Sequence, residues 1–181
     1  DAQREIRSVY RGGLAGQLVS GALWCASVAV ATTGNRSAAI LVLVLGGMLI
    51  FPLTMLALRL AGRPATTRPG NPLNRLAMQV AFTVPLALPI VLALAQRAPR
   101  WFYPSLLIVV GAHYLPFVFL YGMVQFYALA AAMLAAGITL GWYVNADFAA
   151  GGWIGGASLI AFAFVGWRAV VDEERRTPHA D

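Results

Sequence analysis

His113 is the residue best equipped for chemistry in this chain. It can donate, accept and titrate near neutral pH, and it is the only histidine inside an apolar run; the other, His179, lies in the C-terminal tail. Pro116 follows three residues later and cannot donate to the carbonyl of Ala112, so an unpaired acceptor lies beside the imidazole. Tyr114, Tyr121, Gln125 and Tyr127 follow His113, and Gln79 stands in the preceding apolar run. Together these six side chains would line a small polar cavity able to bind a small molecule or a lipid. The competing reading is that His113 hydrogen-bonds between helices and fixes their packing. It carries slightly more weight, because a lone histidine between apolar helices often serves as glue.

Other chemistries lack their residues. No Asp or Glu lies within an apolar run, which removes carboxylate-based intramembrane proteolysis, carboxylate proton relays and most cation-coupled transport. With one intramembrane histidine, no metal site, haem site or other cofactor is expected. The stretch GGWIGG at 151–156 opens an apolar helix, so helix packing explains it better than phosphate binding. Ser158 follows Gly155-Gly156-Ala157 and resembles an intramembrane serine nucleophile with His113 as base. The serine follows the histidine, however, reversing the order in rhomboid proteases, and the oxyanion-side residues are missing. No catalytic residue is assigned, and the reading leans away from an enzyme.

The elements that position these residues follow from composition. Of 181 residues, 60% are hydrophobic and 11% charged, with a mean hydropathy of +0.72. Soluble domains carry about 25% charged residues, so lipid is the expected solvent. The formal charge of +6 comes entirely from Arg on the basic side. These arginines lie between apolar runs, which points to membrane orientation rather than nucleic acid. The single cysteine, Cys25, excludes an intrachain disulfide.

The pattern predicts an all-α, polytopic bundle of six transmembrane helices at about 12–33, 38–60, 72–96, 101–121, 123–144 and 149–171. The uncharged run from Trp101 to Asn145 would exceed roughly 60 Å as one helix. That is about twice a hydrocarbon core, so it must reverse, best at Tyr121-Gly122-Met123. Pro52, Pro85, Pro89 and Pro116 predict kinks, and Asn71-Pro72 resembles an N-cap with proline at the first helical position. Residues 1–11 place Ile6, Val9 and Tyr10 on one face, giving either an interfacial amphipathic helix or a solvated extension. Residues 172–181 form a polar tail. Gly12, Gly16 and Ser20, and the overlapping pairs Gly151/Gly155 and Gly152/Gly156, have the four-residue spacing that lets helices approach closely.

Orientation follows from charge. With the N-terminus cytoplasmic, the inner segments hold Arg4, Arg7, Arg11, Arg59, Arg63, Arg68, Arg75, Arg168, Arg175 and Arg176, and the outer ones only Arg36, Arg97 and Arg100. That bias predicts both termini in the cytoplasm. Against it, the turn near Gly122 should lie inside and has no arginine.

Four stretches carry a resemblance: GGLAGQLVSGALW at 12–24, GGMLIFPL at 46–53, GNPL at 70–73 and WFYPSLLIVVGAHYLPFVFLYGM at 101–123. They resemble a family of small bacterial integral-membrane proteins known only as a domain of unknown function. The similarity covers most of the chain. It implies a location in the bacterial inner membrane and supplies no activity. In that family the position of His113 can hold Arg before the same Tyr-Leu, which implies a hydrogen-bonding group there rather than a titrating one.

Two functional classes stay open. In the first, a non-enzymatic protein binds or moves a small molecule or lipid in a cavity near His113. In the second, a structural or regulatory subunit packs through its glycine-rich helices against another chain, a homo-oligomer included. A lipid-modifying enzyme is a distant third. Nucleic acid is not an expected partner.

Overall fold

The computed structural model describes residues 2–176; Asp1 and residues 177–181, His179 among them, lie outside the described residues. Seven α-helices follow one another: α1 (Ala2–Tyr10), α2 (Leu14–Thr32), α3 (Arg36–Leu60), α4 (Asn74–Arg97), α5 (Phe102–Tyr121), α6 (Gln125–Ile138) and α7 (Ala150–Arg176). The described residues contain no strand. Six helices are long and apolar enough to cross a membrane, the first of them counting α1 and α2 together.

The break between α1 and α2 falls at Arg11–Gly13, where Arg11, Gly12 and Gly13 all adopt positive φ. Gly12 therefore belongs to a turn rather than to the first spanning helix. Its backbone meets that of Gly166 so closely that a Cβ would lie 2.7 Å from the Gly166 carbonyl oxygen. The turn folds α1 back beneath the bundle, with Ile6 buried. This excludes the solvated extension. It also alters the interfacial reading, because Arg7 and Arg11 face the acidic end of α7 rather than only the surroundings.

Two packed layers form the core. On one side α2 packs on α3 and α7; on the other α5 packs on α6 and α4, and α6 and α7 close the layers together. Glycine makes the α2–α7 crossing close: a Cβ on Gly155 would lie 2.3 Å from the Trp24 ring, and one on Gly156 2.7 Å from Cys25 Sγ. Gly151 and Gly152 seat Tyr103 in the same way. These glycines are thus spent inside the chain. Gly16 instead faces Thr54 of α3, and Ser20 is buried.

Across the layers, Ser27 Oγ donates to the Ala39 carbonyl at 2.7 Å and meets the Tyr103 hydroxyl at 2.7 Å. With the serine proton committed to Ala39, the tyrosine donates. One buried hydroxyl pair thereby joins α2, α3 and α5. The outward faces of α3 and α4 are apolar, with Met48, Phe51, Leu86 and Ile90 all strongly exposed.

Three boundaries differ from expectation. Helix α4 starts at Asn74, because the Asn71 side chain accepts from Leu73 N–H at 2.9 Å and otherwise reaches α1. The fifth span ends its α-helical part at Ile138 and widens into a π-turn over Thr139–Tyr143. There Gly141 lies against Trp101, and Trp101 meets Trp142 edge-on at 4.7 Å. Helix α7 continues through Asp172–Arg176, residues of adequate helix propensity whose glutamates find partners on α1 and in the turn that follows it. At 27 residues it measures about 40 Å, longer than a hydrocarbon core of about 30 Å, so its charged last turns project beyond the spanning part.

Candidate functional site

Helix α5 aligns His113, Tyr114, Phe117 and Tyr121 on one face, at the three- and four-residue steps that put side chains above one another. Phe126 of α6 completes a cluster of five rings. The His113 ring lies 5.0 Å from Phe117 and 5.6 Å from Tyr114; Tyr114 stacks on Phe126 at 6.0 Å; Tyr121 lies 5.2 Å from Phe126. Tyr114 and Tyr121 are buried and His113 is partly buried.

His113 Nδ1 lies 2.7 Å from Thr83 Oγ1 of α4, and that hydroxyl donates to the Val80 carbonyl at 2.7 Å. The threonine has one proton, already given, so the imidazole carries its hydrogen on Nδ1 and leaves Nε2 as an acceptor. This bond is the polar link between peripheral α4 and the α5–α6 pair.

On the opposite flank of the rings the decisive residue is Gln17, in the first turn of α2. It is 3% exposed. Its side chain reaches the Tyr114 hydroxyl, while Oε1 is buried without a hydrogen-bond partner. Gly13 and Phe126 wall it in: a Cβ on Gly13 would lie 3.4 Å from Phe126 Cζ and 3.8 Å from Gln17 Oε1. At the start of α6, Gln125 Nε2 is likewise buried without a partner. The Tyr121 hydroxyl lies within electrostatic reach of those of Tyr10 and Tyr114. Gln17 Oε1 thus lacks a partner beside the Tyr114 phenol, and Gln125 Nε2 lacks one at the start of α6.

Of the six residues singled out in the sequence, the structure gathers His113, Tyr114 and Tyr121 in one ring cluster and puts Gln125 at the end of it. Gln79 and Tyr127 lie on exposed faces, Tyr127 at 58% exposure. Gln17, Thr83, Phe117 and Phe126 were not in that set. Gln17 had a visible signal, being the one strongly polar side chain of its span.

Above the cluster sits α1. Gln3 Nε2 donates to the Phe119 carbonyl and Arg7 Nη1 to the Tyr121 carbonyl at 2.6 Å, filling acceptors that the end of α5 leaves unpaired. Arg7 also grips Glu173 through two hydrogen bonds of 2.8 and 3.0 Å. Glu5 accepts from the Arg68 backbone N–H at 2.6 Å and from Asn71 Nδ2 at 3.0 Å. Both carboxylates lie outside the spans expected at 12–33 and 149–171. The Arg7 hydrogen bonds hold Glu173 below the usual carboxylate range, and the Arg68 N–H does the same for Glu5. One short helix therefore ties together the ends of α5 and α7 and the α3–α4 loop. Among the described residues no group of three metal-ligating side chains occurs.

The model of DUF7010, a family of unknown function, matches residues 1–169. The chain belongs to this family. No curated protein and no solved structure matches it. The DUF7010 match takes in α1, the ring cluster and Gln17, and ends before Glu173 and Glu174.

Proposed function

We propose that this DUF7010 protein is a multi-pass protein of the bacterial inner membrane, with both termini cytoplasmic, that binds a small uncharged polar molecule or the polar part of a lipid in the α2–α5–α6 core. The binding residues are Gln17, Tyr114, Tyr121 and Gln125, flanked by His113. The observation that carries this reading is Gln17 Oε1, buried without a partner. An unpaired amide oxygen in an apolar interior costs about 1–3 kcal/mol, against a total stability of roughly 5–15 kcal/mol. A ligand with a donor for Gln17 Oε1 and an acceptor for Gln125 Nε2 removes that cost at both atoms. A charged ligand fits poorly, since Arg7, the guanidinium that reaches the Tyr121 carbonyl, is already balanced by Glu173.

Native mass spectrometry in mild detergent tests the reading on wild type, Gln17→Leu and His113→Ala. A reproducible adduct lost in Gln17→Leu but kept in His113→Ala places the ligand on the amide flank. Loss in both places it across the ring cluster. An adduct unaffected by either, or none on wild type, sinks the proposal. It would then favour a structural subunit that offers the exposed alanines of α6, such as Ala128 and Ala132, to another chain.

A further inference from the structure

On the face that carries α1, an open basin of about 1130 Å³ lies between α1, residues 68–72 and the end of α7. Three carboxylates border it, and each is engaged: Glu5 by the Arg68 N–H and Asn71, Glu173 by Arg7, and Glu174 by Arg11 at 3.5 Å. A cation entering the basin would have to displace one of these partners. The arginines divide differently. Arg7 is committed, whereas the guanidinium groups of Arg4 and Arg68 make no hydrogen bond or salt bridge among the described residues and act on Glu173 and Glu5 only through longer-range charge. Both residues are exposed, and Ser8, one turn beyond Arg4 on the same outward face of α1, adds an exposed hydroxyl. Val9, partly buried, gives the basin an apolar side above the buried Val170.

The geometry points to a second site, independent of the intramembrane cluster, in which Arg4, Ser8 and Arg68 bind a phosphate group. A guanidinium presents paired N–H donors that match phosphate oxygens, and the hydroxyl supplies a further donor. The basin opens where α2 begins and α5 ends, the level of lipid headgroups. An anionic phospholipid would lay its phosphate on the arginines and its first methylenes on Val9; free phosphate would use the arginines alone.

The test uses the whole protein in neutral detergent and measures retention of phosphatidylglycerol and of diacylglycerol, which lacks the phosphate, by native mass spectrometry. Inorganic phosphate serves as competitor. The expected result is a preference for phosphatidylglycerol of roughly tenfold or more, the worth of one charge-assisted hydrogen bond. The Arg4→Gln/Arg68→Gln double variant loses it; Arg75→Gln, an exposed arginine outside the basin, keeps it. Displacement by inorganic phosphate assigns recognition to the phosphate group alone. Retention against phosphate assigns the site to the lipid. If the double variant does not fold, Arg4→Lys/Arg68→Lys keeps the charge without the fork, and binding equal to wild type overturns the site. So does equal retention of the two lipids, or a loss in Arg75→Gln as large as in the double variant.

Discussion

Arg7 and Glu173 are joined by two hydrogen bonds, Nε to Oε2 at 3.0 Å and Nη2 to Oε1 at 2.8 Å, across 166 positions of chain. The same guanidinium donates to the Tyr121 carbonyl. Removing it takes two hydrogen bonds from the carboxylate and one from a helix-end acceptor. Arg7→Ala should therefore destabilise by about 1–3 kcal/mol, and Glu173→Gln by less, since its side chain is 40% exposed and solvent screens the pair. Thermal melts of the two single variants and the double variant give the coupling. Strictly additive losses would mean that the two residues act separately.

The pair also sets an acid limit. Glu173 titrates below its ordinary value of 4.5 because Arg7 binds the charged form. A depressed carboxylate adds stability above its unfolded pKa and loses it as pH falls through the folded one. Hydrogen exchange in α1 should thus rise as pH drops below about 4.5, beyond the intrinsic pH dependence of exchange. In Glu173→Gln, α1 should already exchange faster at neutral pH, and acid should add less. An identical acid response in wild type and variant would assign the effect to other groups.

Gly122 is the pivot that lets α1 dock. Its φ is +62°, and a Cβ there would lie 2.8 Å from Gln3 Oε1 and 2.9 Å from Arg7 Nη1. A side chain would meet left-handed strain and push both donors off the end of α5. Gly122→Ala is expected to cost about 1–2 kcal/mol and to expose α1 to limited proteolysis. Unchanged proteolysis would show that α1 docks without those contacts.

Two glycines separate packing from helix propensity. Gly155 has the rigid Trp24 ring where its Cβ would be, whereas Gly47 in α3 has no neighbour within 4 Å. Gly155→Ala should destabilise by about 1–3 kcal/mol through overpacking. Gly47→Ala should be neutral or gain up to about 1 kcal/mol, as alanine favours helix. Equal effects in melting experiments would contradict the close α2–α7 crossing.

What could be read in the sequence followed from local pattern. Six apolar runs set six spans, and a glycine in an uncharged stretch too long for one crossing marked the reversal at Gly122. The rest depended on pairs distant in sequence. Nothing near Gly122 supplies an arginine, because Arg7 arrives from α1 to serve that turn. Asp172–Arg176 read as a tail because their helical continuation depends partly on α1. Gln17 stood out as a polar residue in an apolar run, but its unfilled oxygen appears only once Gly13, Tyr114 and Phe126 surround it. His113 was legible as a polar group, and its partner Thr83 comes from another helix.

Gln17 also permits a test that opposes stability to function. Gln17→Met nearly preserves length and volume while removing an oxygen that no neighbour binds. In the ligand-free protein the amide carries an unmet desolvation cost at Oε1 that offsets its contact with the Tyr114 hydroxyl, so the thioether should stay within about 1 kcal/mol of wild-type stability or exceed it. The same change removes the acceptor on which the proposed ligand depends, so binding should weaken roughly tenfold or more. A residue that only filled space would show no such binding loss, and a purely structural hydrogen bond to Tyr114 would make Gln17→Met destabilising. Melting temperature measured beside adduct retention distinguishes the three. Equal or higher stability with loss of binding identifies Gln17 as a binding residue whose cost the fold bears when the site is empty.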